Sequence, residues 1–205
     1  MTRREMLRAL LVGTASVMTL TAEDIEASLR PDRFDGTSQD PIQAFLEQSV
    51  RGKSGKDLLT GELSMVNANS NESIRAQYLD GNRQLAANGC RQLSYFFRCQ
   101  YTGQAISIHP ELFLLLDAVR HSLGVAHRPF VLFSGYRSPS YNRRLARRDG
   151  HVARNSYHIR GMAADVALEG VSLRTLATTA KAFGVGGVSR YGNFVHMDVG
   201  PVRTW

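Results

Sequence analysis

Two short motifs in the last third of the chain carry side chains that can bind a metal. The first runs from Ser156 to Asp165 and contains His158, and the second contains His196 and Asp198. Two imidazoles and a carboxylate suit a catalytic zinc ion, because three protein ligands leave a fourth position for water, whereas closed structural sites use four ligands and usually cysteine. Neither of the two cysteines lies near these motifs. Zinc in such a site makes water a usable nucleophile near neutral pH.

The second motif lies on a predicted strand, residues 194–199, on which successive side chains alternate between faces. His196 and Asp198 therefore share one face, and three apolar residues can pack into the core from the other. On another predicted strand, residues 162–168, Asp165 shares its face with two small alanines that leave space around the carboxylate. An acidic residue in so apolar a run is costly unless it is paired or bound to a metal.

His158 stands three residues before Gly161, whose conformational freedom lets the chain bend and return the histidine over the end of the strand. A structural explanation is also open, in which the histidines lie at the surface and the aspartate holds a turn. That explanation suffices for any one of these residues, since lone histidines are common, but the combination favours a metal site.

The elements that must position these residues are a mixture of strands and helices. Residues 23–57 contain prolines and glycines among mixed charges and are interpreted as a linker, and ordered structure is expected from residue 58. Hydrophobic periodicity predicts strands over residues 62–67, 73–78, 130–133, 162–168 and 194–199, and helices over residues 83–98, 110–124, 139–148 and 172–183. The predicted fold class is α+β, a small antiparallel sheet flanked by helices, in one domain over residues 58–205.

The first 22 residues have the order of a signal peptide. Arg3 and Arg4 resemble the twin-arginine consensus, and an apolar run over residues 9–20 follows them. That run is too short to span a bilayer comfortably. We therefore predict export to the periplasm or cell envelope, with no transmembrane domain in the mature chain. An amphipathic N-terminal helix is the alternative, and an uncleaved anchor is a second one because the cleavage site is poorly defined.

The formal charge of +7 favours an anionic partner without naming it. The sequence has no basic-aromatic module for nucleic acid, so no nucleic-acid partner is predicted, and an anionic cell-wall polymer fits the charge. The arginines of the predicted helix 139–148 are more often a solvated face than a binding patch.

Cys90 and Cys99 are predicted to be separate thiols. Export would place them in an oxidising compartment, where a disulfide is chemically allowed. One helix through both positions, however, separates their Cα atoms by about 13 Å, which is beyond disulfide reach.

Three segments together resemble a family of zinc proteins. They are Ser134-Gly135-Tyr136-Arg137-Ser138-Pro139, Asn155-Ser156-Tyr157-His158 and Asn193-Phe194-Val195-His196-Met197-Asp198. With the spacing Ser-x-His-x-x-Gly-x-Ala-x-Asp they resemble the bacterial DD-peptidase and hedgehog-type zinc fold, and within it the murein endopeptidase K branch. The resemblance covers residues 58–205. It implies that fold, a bound Zn²⁺ ion held by His158, Asp165 and His196, and peptidoglycan peptides as the partner.

The general base is not defined by this resemblance. Several relatives place a glutamate three residues before the last histidine ligand, or a histidine two before it, and these positions are Asn193 and Phe194 here. Asp198 is the predicted base, because strand alternation puts it beside His196, but it can instead orient that imidazole. The weaker candidates are His151 and Tyr191.

The predicted function is an exported zinc metallopeptidase that hydrolyses peptide bonds in peptidoglycan stem peptides or crosslinks with metal-activated water. The resemblance implies that Arg137 faces the substrate, where a guanidinium can bind a carboxylate or stabilise an oxyanion. Pairing of Arg137 with the domain's own acids is the alternative. A zinc-containing cell-wall peptide-binding protein without hydrolytic activity is the second hypothesis, because the usual base positions are not filled.

Overall fold

The computed structural model describes residues 59–150 and 152–203, together with the backbone of three two-residue strands earlier in the chain. The predicted signal segment and most of the linker lie outside these residues. The early strand Leu29–Arg30 pairs in parallel with Ala105–Ile106, and Ser49–Val50 pairs with Lys53–Ser54. Within the described part of the chain, no helix has the length and apolar character needed to cross a membrane.

A six-stranded mixed sheet forms the centre of the domain. Its strands are β1 (Glu62–Asn67), β2 (Ser73–Gln77), β3 (Phe130–Ser134), β4 (Ala163–Leu168), β5 (Val188–Arg190) and β6 (Val195–Asp198). The spatial order is β2-β1-β3-β4-β6-β5, and every neighbouring pair is antiparallel except β1 with β3. The α+β class is confirmed, with one correction to the predicted antiparallel sheet. The chain between β2 and β3 carries two helices, and this long crossover lets β3 run parallel to β1.

Four α-helices and one short 3₁₀ helix accompany the sheet. They are α1 (Ala87–Phe96), α2 (Pro110–Ser122), α3 (Pro139–Arg148), α4 (Leu173–Lys181) and the 3₁₀ helix Tyr157–Arg160. The N-terminal ends of α3 and α4 are capped by serines, since Ser138 and Ser172 each accept a hydrogen bond from a backbone N–H three residues on.

The predicted helix from residue 83 begins four residues too early. Arg83 has a φ of 60°, in the left-handed region. The carboxylate of Asp80 accepts hydrogen bonds from the N–H groups of Asn82 and Gln84 and holds a turn there. The helix also ends at Phe96, before Cys99. The prediction of separate thiols is nevertheless confirmed, because Cys90 and Cys99 are both free.

Three of the four α-helices cover one face of the sheet. Helix α1 packs on β2, α2 packs on β1, and α4 packs on β4, β5 and β6. The strand residues that point into this layer are fully or almost fully buried; they include Leu63, Met65, Phe130, Leu132, Ala164, Val166, Val195 and Met197. Because side chains alternate along a strand, Asp165, His196 and Asp198 point away from this layer, on the opposite face of the sheet.

A buried carboxylate ties the first described residues to the core. Asp117 on α2 accepts hydrogen bonds from the N–H and hydroxyl groups of Thr60, from the N–H of Gly61 and from the hydroxyl of Tyr78. The side chain of Arg120 lies 3.6 Å from the same carboxylate. Burial, together with the negative charge of Asp117, raises the pKa of Tyr78 well above its ordinary value. This network belongs to the core and makes none of the contacts described below for the candidate metal centre.

Candidate metal centre

Strand pairing and one tight turn bring the candidate ligands together. The antiparallel register of β4 and β6 places His196 directly opposite Asp165. His158 reaches them from the 3₁₀ helix Tyr157–Arg160, which ends at Gly161 with a φ of 68°. A side chain at Gly161 would be strained by this φ, and its Cβ would lie 2.9 Å from the carbonyl oxygen of Ser107. The bend expected at this glycine is therefore present.

The three candidate ligand atoms converge on one point. Nε2 of His158 lies 3.2 Å from Oδ1 of Asp165 and 3.2 Å from Nδ1 of His196. Nδ1 of His196 lies 2.9 Å from Oδ1 of Asp165. Ligands around a tetrahedral zinc ion, each about 2.0–2.1 Å from the metal, lie about 3.3–3.4 Å apart. The spacing and chemistry of these three atoms therefore fit a zinc ion with a fourth position left over.

Hydrogen bonds behind each imidazole fix which nitrogen faces this point. Nδ1 of His158 lies 2.7 Å from the carbonyl oxygen of Gly135, so this nitrogen carries the proton and donates it. Nε2 of His196 lies 3.0 Å from Oδ2 of Asp198 and donates to the carboxylate. Nε2 of His158 and Nδ1 of His196 therefore face Asp165, and these are the nitrogens that would bind a metal ion.

Burial and charge set the protonation of the cluster. Burial lowers the pKa of His158, and the nearby Asp165 only partly offsets this effect. Burial would raise the pKa of Asp165, but its interactions with His158, His196 and Arg137 lower it well below its ordinary value. His196 is largely shielded from solvent, which would lower its pKa, yet its hydrogen bonds to Asp165 and Asp198 raise it. Asp165 is therefore anionic and His158 neutral near neutral pH, as metal ligands must be.

Solvent reaches the cluster mainly beside His196. The side chains of His158 and Asp165 are 2% and 3% exposed, whereas that of His196 is 14% exposed. Solvent therefore reaches the cluster beside His196 on β6.

Asp198 is completely buried, and both of its oxygens already accept hydrogen bonds. Oδ2 binds Nε2 of His196 and the guanidinium of Arg203, while Oδ1 binds the N–H groups of Gly187 at 3.1 Å and Gly200 at 2.9 Å. The hydrogen bonds to His196 and to the backbone help to lower the pKa of the carboxylate despite its burial. Because Asp198 contacts the side of His196 that faces away from Asp165, the geometry favours the orienting role over that of a general base.

Arg137 lies beside the cluster and pairs with it. Its Nε donates to the hydroxyl of Ser134 at 2.9 Å, and its Nη2 donates to Oδ2 of Asp165. The side chain is 14% exposed. The pairing that was the alternative for Arg137 is therefore present, and it occupies only one edge of the guanidinium.

Of the two weaker base candidates, Tyr191 lies in the described part of the chain and makes no hydrogen bond to the cluster there. Tyr191 is 46% exposed and stacks on Phe194 with 5.0 Å between ring centroids. Phe194 also lies 5.8 Å from the ring of Phe133, so the three rings form an aromatic strip on the sheet. His151 lies outside the described residues.

Two contacts of the site were not anticipated from the sequence. The carbonyl of Gly135 is a backbone group, which side-chain patterns do not reveal, and the guanidinium of Arg203 comes from the C-terminal tail. The only sequence signal for Gly135 is its position in the Ser-Gly-Tyr-Arg motif. A side chain there would lie 2.6 Å from the carbonyl oxygen of Phe97, so only glycine fits.

Comparison with known proteins shows which peptidases this chain is similar to. A family model described as peptidoglycan L,D-endopeptidase MepK matches residues 57–205. The peptidoglycan L,D-endopeptidase MepK of Escherichia coli K12 is 39% identical over 145 residues, which are 70% of this chain and 79% of that protein. A probable MepK of Haemophilus influenzae is 38% identical over 117 residues, which are 56% of this chain and 63% of that protein. The solved structure of the Serratia marcescens L-Ala D-Glu endopeptidase ChiX is 22% identical with a TM-score of 0.30, covering 38% of this chain and 62% of that one.

Proposed function

This chain belongs to the peptidase family of peptidoglycan L,D-endopeptidase MepK, and on that premise we propose that it is an exported zinc peptidase that hydrolyses L,D bonds in peptidoglycan peptides. One observation carries the chemical part of this proposal. Nε2 of His158, Nδ1 of His196 and Oδ1 of Asp165 converge at 2.9–3.2 Å, and the other nitrogen of each imidazole is held by Gly135 or Asp198.

His158, Asp165 and His196 would hold the zinc ion. When bound, zinc supplies a Lewis acid that polarises a peptide carbonyl and makes water nucleophilic near neutral pH. The protein fixes the site in advance, because the carbonyl of Gly135 and the carboxylate of Asp198 hold the imidazole orientations without any metal. Such partners of metal ligands typically account for about 10–100-fold in metal affinity.

Arg137 has a second role in this proposal, which is to bind substrate. Its Nε and Nη2 donate hydrogen bonds to Ser134 and Asp165, whereas Nη1 donates none within the described residues. A guanidinium in this position can hold a substrate carboxylate or the oxyanion that forms at the scissile carbonyl. Its pairing with Asp165 fixes its position before substrate arrives.

Asp198 acts as the residue that orients His196. The catalytic base role predicted from the sequence is disfavoured by its burial and its four hydrogen-bond donors. An acceptor behind a ligand imidazole keeps the opposite nitrogen deprotonated and aimed at the metal.

The substrate and the compartment follow from the relatives and from the N-terminal sequence. The MepK proteins that match the chain are named as peptidoglycan L,D-endopeptidases, and we extend that bond preference to this chain. Arg3 and Arg4, followed by the apolar run over residues 9–20, support export to the periplasm by a twin-arginine-type route.

Recognition of cell-wall peptides without cleavage is a second candidate function. It is favoured because the carboxylates at the cluster already have hydrogen-bond partners. Within residues 59–150 and 152–203, the carboxylates that contact the two histidines are those of Asp165 and Asp198, and each already contacts several donors. A general base normally needs a carboxylate or imidazole within hydrogen-bond reach of the attacking water.

Digestion of purified peptidoglycan by the zinc-loaded protein decides between the two functions. We expect soluble peptides whose masses and new termini correspond to cleavage of L,D bonds, and no products from the His158→Ala variant. Co-sedimentation of the wild-type protein with peptidoglycan, without any product, would establish the binding function instead. Cleavage at D,D bonds would refute the proposed bond preference while leaving the peptidase intact.

A further inference from the structure

Arg203 lies five residues beyond Asp198. It is linked to His196 through Asp198 and to His158 through Tyr157. We propose that Arg203 is a positioning residue that holds the two histidine-bearing segments in register, so that His158 and His196 face one metal ion. The inference rests on the proposed function only in requiring that these histidines bind zinc.

The first link runs through Asp198 to His196. Oδ2 of Asp198 accepts from Nη2 of Arg203 and from Nε2 of His196. Asp198 has no exposed surface, and an unpaired carboxylate in such a place is costly. The guanidinium offsets that cost and draws the carboxylate oxygen to one fixed position behind the imidazole. Movement of Asp198 would therefore change the orientation of His196.

The second link runs through an aromatic ring to His158. The guanidinium of Arg203 lies over the ring of Tyr157, 4.5 Å from its centroid, which is within the range of a cation–π contact. Tyr157 begins the 3₁₀ helix that carries His158, and its carbonyl accepts a hydrogen bond from the N–H of Met162 at 3.1 Å. Restraint of the Tyr157 ring therefore restrains the turn from which His158 projects.

The tail that carries Arg203 is itself held against the domain. The residue Gly187 forms a parallel bridge with Arg203 and also donates its N–H to Oδ1 of Asp198. Gly200 packs against Tyr157 so closely that a Cβ there would lie 2.4 Å from Cζ of the ring. Backbone and side chain of Arg203 are thus fixed independently, as a positioning residue requires.

The planar guanidinium serves both links at once, and lysine cannot. A lysine ammonium can keep the ion pair with Asp198, but it lacks the flat surface that lies over Tyr157. The two links therefore respond differently to substitution. Arg203→Gln removes both, whereas Arg203→Lys retains the first and weakens the second.

The test measures zinc affinity and the state of the two imidazoles rather than turnover alone. Zinc affinity is determined by competition with a chromophoric chelator, and the tautomers of the two imidazoles are read from ¹⁵N chemical shifts of the zinc-loaded protein. In Arg203→Gln we expect about a tenfold loss of zinc affinity, the low end of the effect of outer-shell partners, and a mixture of His196 tautomers. In Arg203→Lys we expect a loss of about threefold with the His196 tautomer retained.

Arg75→Gln is the matched control. It removes an arginine on β2 that pairs with Glu62 on β1, at the end of the sheet away from β5 and β6, and its side chain is 77% exposed. We expect wild-type zinc affinity and wild-type ¹⁵N shifts in this variant.

Several results would overturn the proposal. Wild-type zinc affinity and a single His196 tautomer in Arg203→Gln would show that Arg203 does not position the ligands. If Arg203→Gln fails to fold, Arg203→Lys decides, because wild-type affinity in that variant would eliminate the link through Tyr157. Failure of the proposed function has a separate signature, since wild-type protein would then bind no zinc or release no peptides from peptidoglycan.

Discussion

Replacing Asp198 by asparagine separates an orienting role from a general-base role, and the two predict opposite changes. Asp198 receives four donors, two on each oxygen. Asparagine has one carbonyl oxygen and one NH₂ group, so one pair of donors must meet another donor. If the NH₂ group points toward His196, Nε2 of the imidazole must act as the acceptor. The proton of the imidazole then lies on Nδ1, which faces the metal position.

The expected magnitude follows from these contacts. Loss of the acceptor behind a metal-bound histidine lowers metal affinity by about 10–100-fold, or about 1.4–2.7 kcal/mol. With the NH₂ toward Gly187 and Gly200 instead, a buried and a partly buried N–H group lose their acceptor, at up to about 1–3 kcal/mol of folding stability each. We therefore expect Asp198→Asn to weaken zinc binding at least tenfold, while turnover at saturating zinc falls less than the roughly 100-fold that a lost general base causes.

The assay combines chelator competition for zinc with peptide release from peptidoglycan at saturating zinc. Asp117→Asn is the matched control, because Asp117 is an equally buried carboxylate that accepts from Thr60, Gly61 and Tyr78 in the core. We expect this control to lose stability without losing zinc affinity. Wild-type zinc affinity in Asp198→Asn, combined with a turnover loss of 100-fold or more, would refute the orienting role and restore Asp198 as the base.

Three further predictions test other parts of the molecule. Arg137→Lys should lower kcat/KM for peptidoglycan by about 100–1,000-fold, as expected for a lost oxyanion donor, with less than a tenfold change in zinc affinity. Because the folded-state pKa of Tyr78 is raised, wild-type stability should fall above pH 10 by about 1.4 kcal/mol per pH unit from this group, and urea unfolding of Tyr78→Phe should lack that slope. Changing Arg3 and Arg4 to lysine should abolish export, measured by fractionation; unaffected export would favour a general secretory route.

Period-two alternation was enough to predict which face of the sheet carries the candidate site. Asp165, His196 and Asp198 all point away from the helical layer, as their positions among apolar neighbours indicated. The approach of His158 was also foreseeable, because a glycine three residues later allows the bend. Both features depend on residues that are close in the sequence, so they can be predicted from the local sequence alone.

Features set by distant parts of the chain could not be predicted in the same way. The short strand β5 contains only three residues and was missed, and the parallel pairing of β1 with β3 depends on the crossover between them. The role of Asp198 belongs to the same class. Strand alternation puts the carboxylate beside His196, but whether its oxygens are already engaged depends on Gly187 and on the C-terminal tail.

The two histidines are expected to bind metal through different nitrogens, and the local backbone explains why. His158 leaves a 3₁₀ turn with Nδ1 close to the carbonyl of Gly135, so its outer nitrogen, Nε2, faces the cluster. On strand β6, Asp198 lies two residues after His196 on the same face and accepts a hydrogen bond from Nε2, which leaves Nδ1 for the metal. A carboxylate two residues after a histidine ligand on a strand thus accepts a hydrogen bond from that histidine and orients it. ¹⁵N shifts on zinc addition should change most at Nε2 of His158 and at Nδ1 of His196, and coordination of His196 through Nε2 would contradict this account of the site.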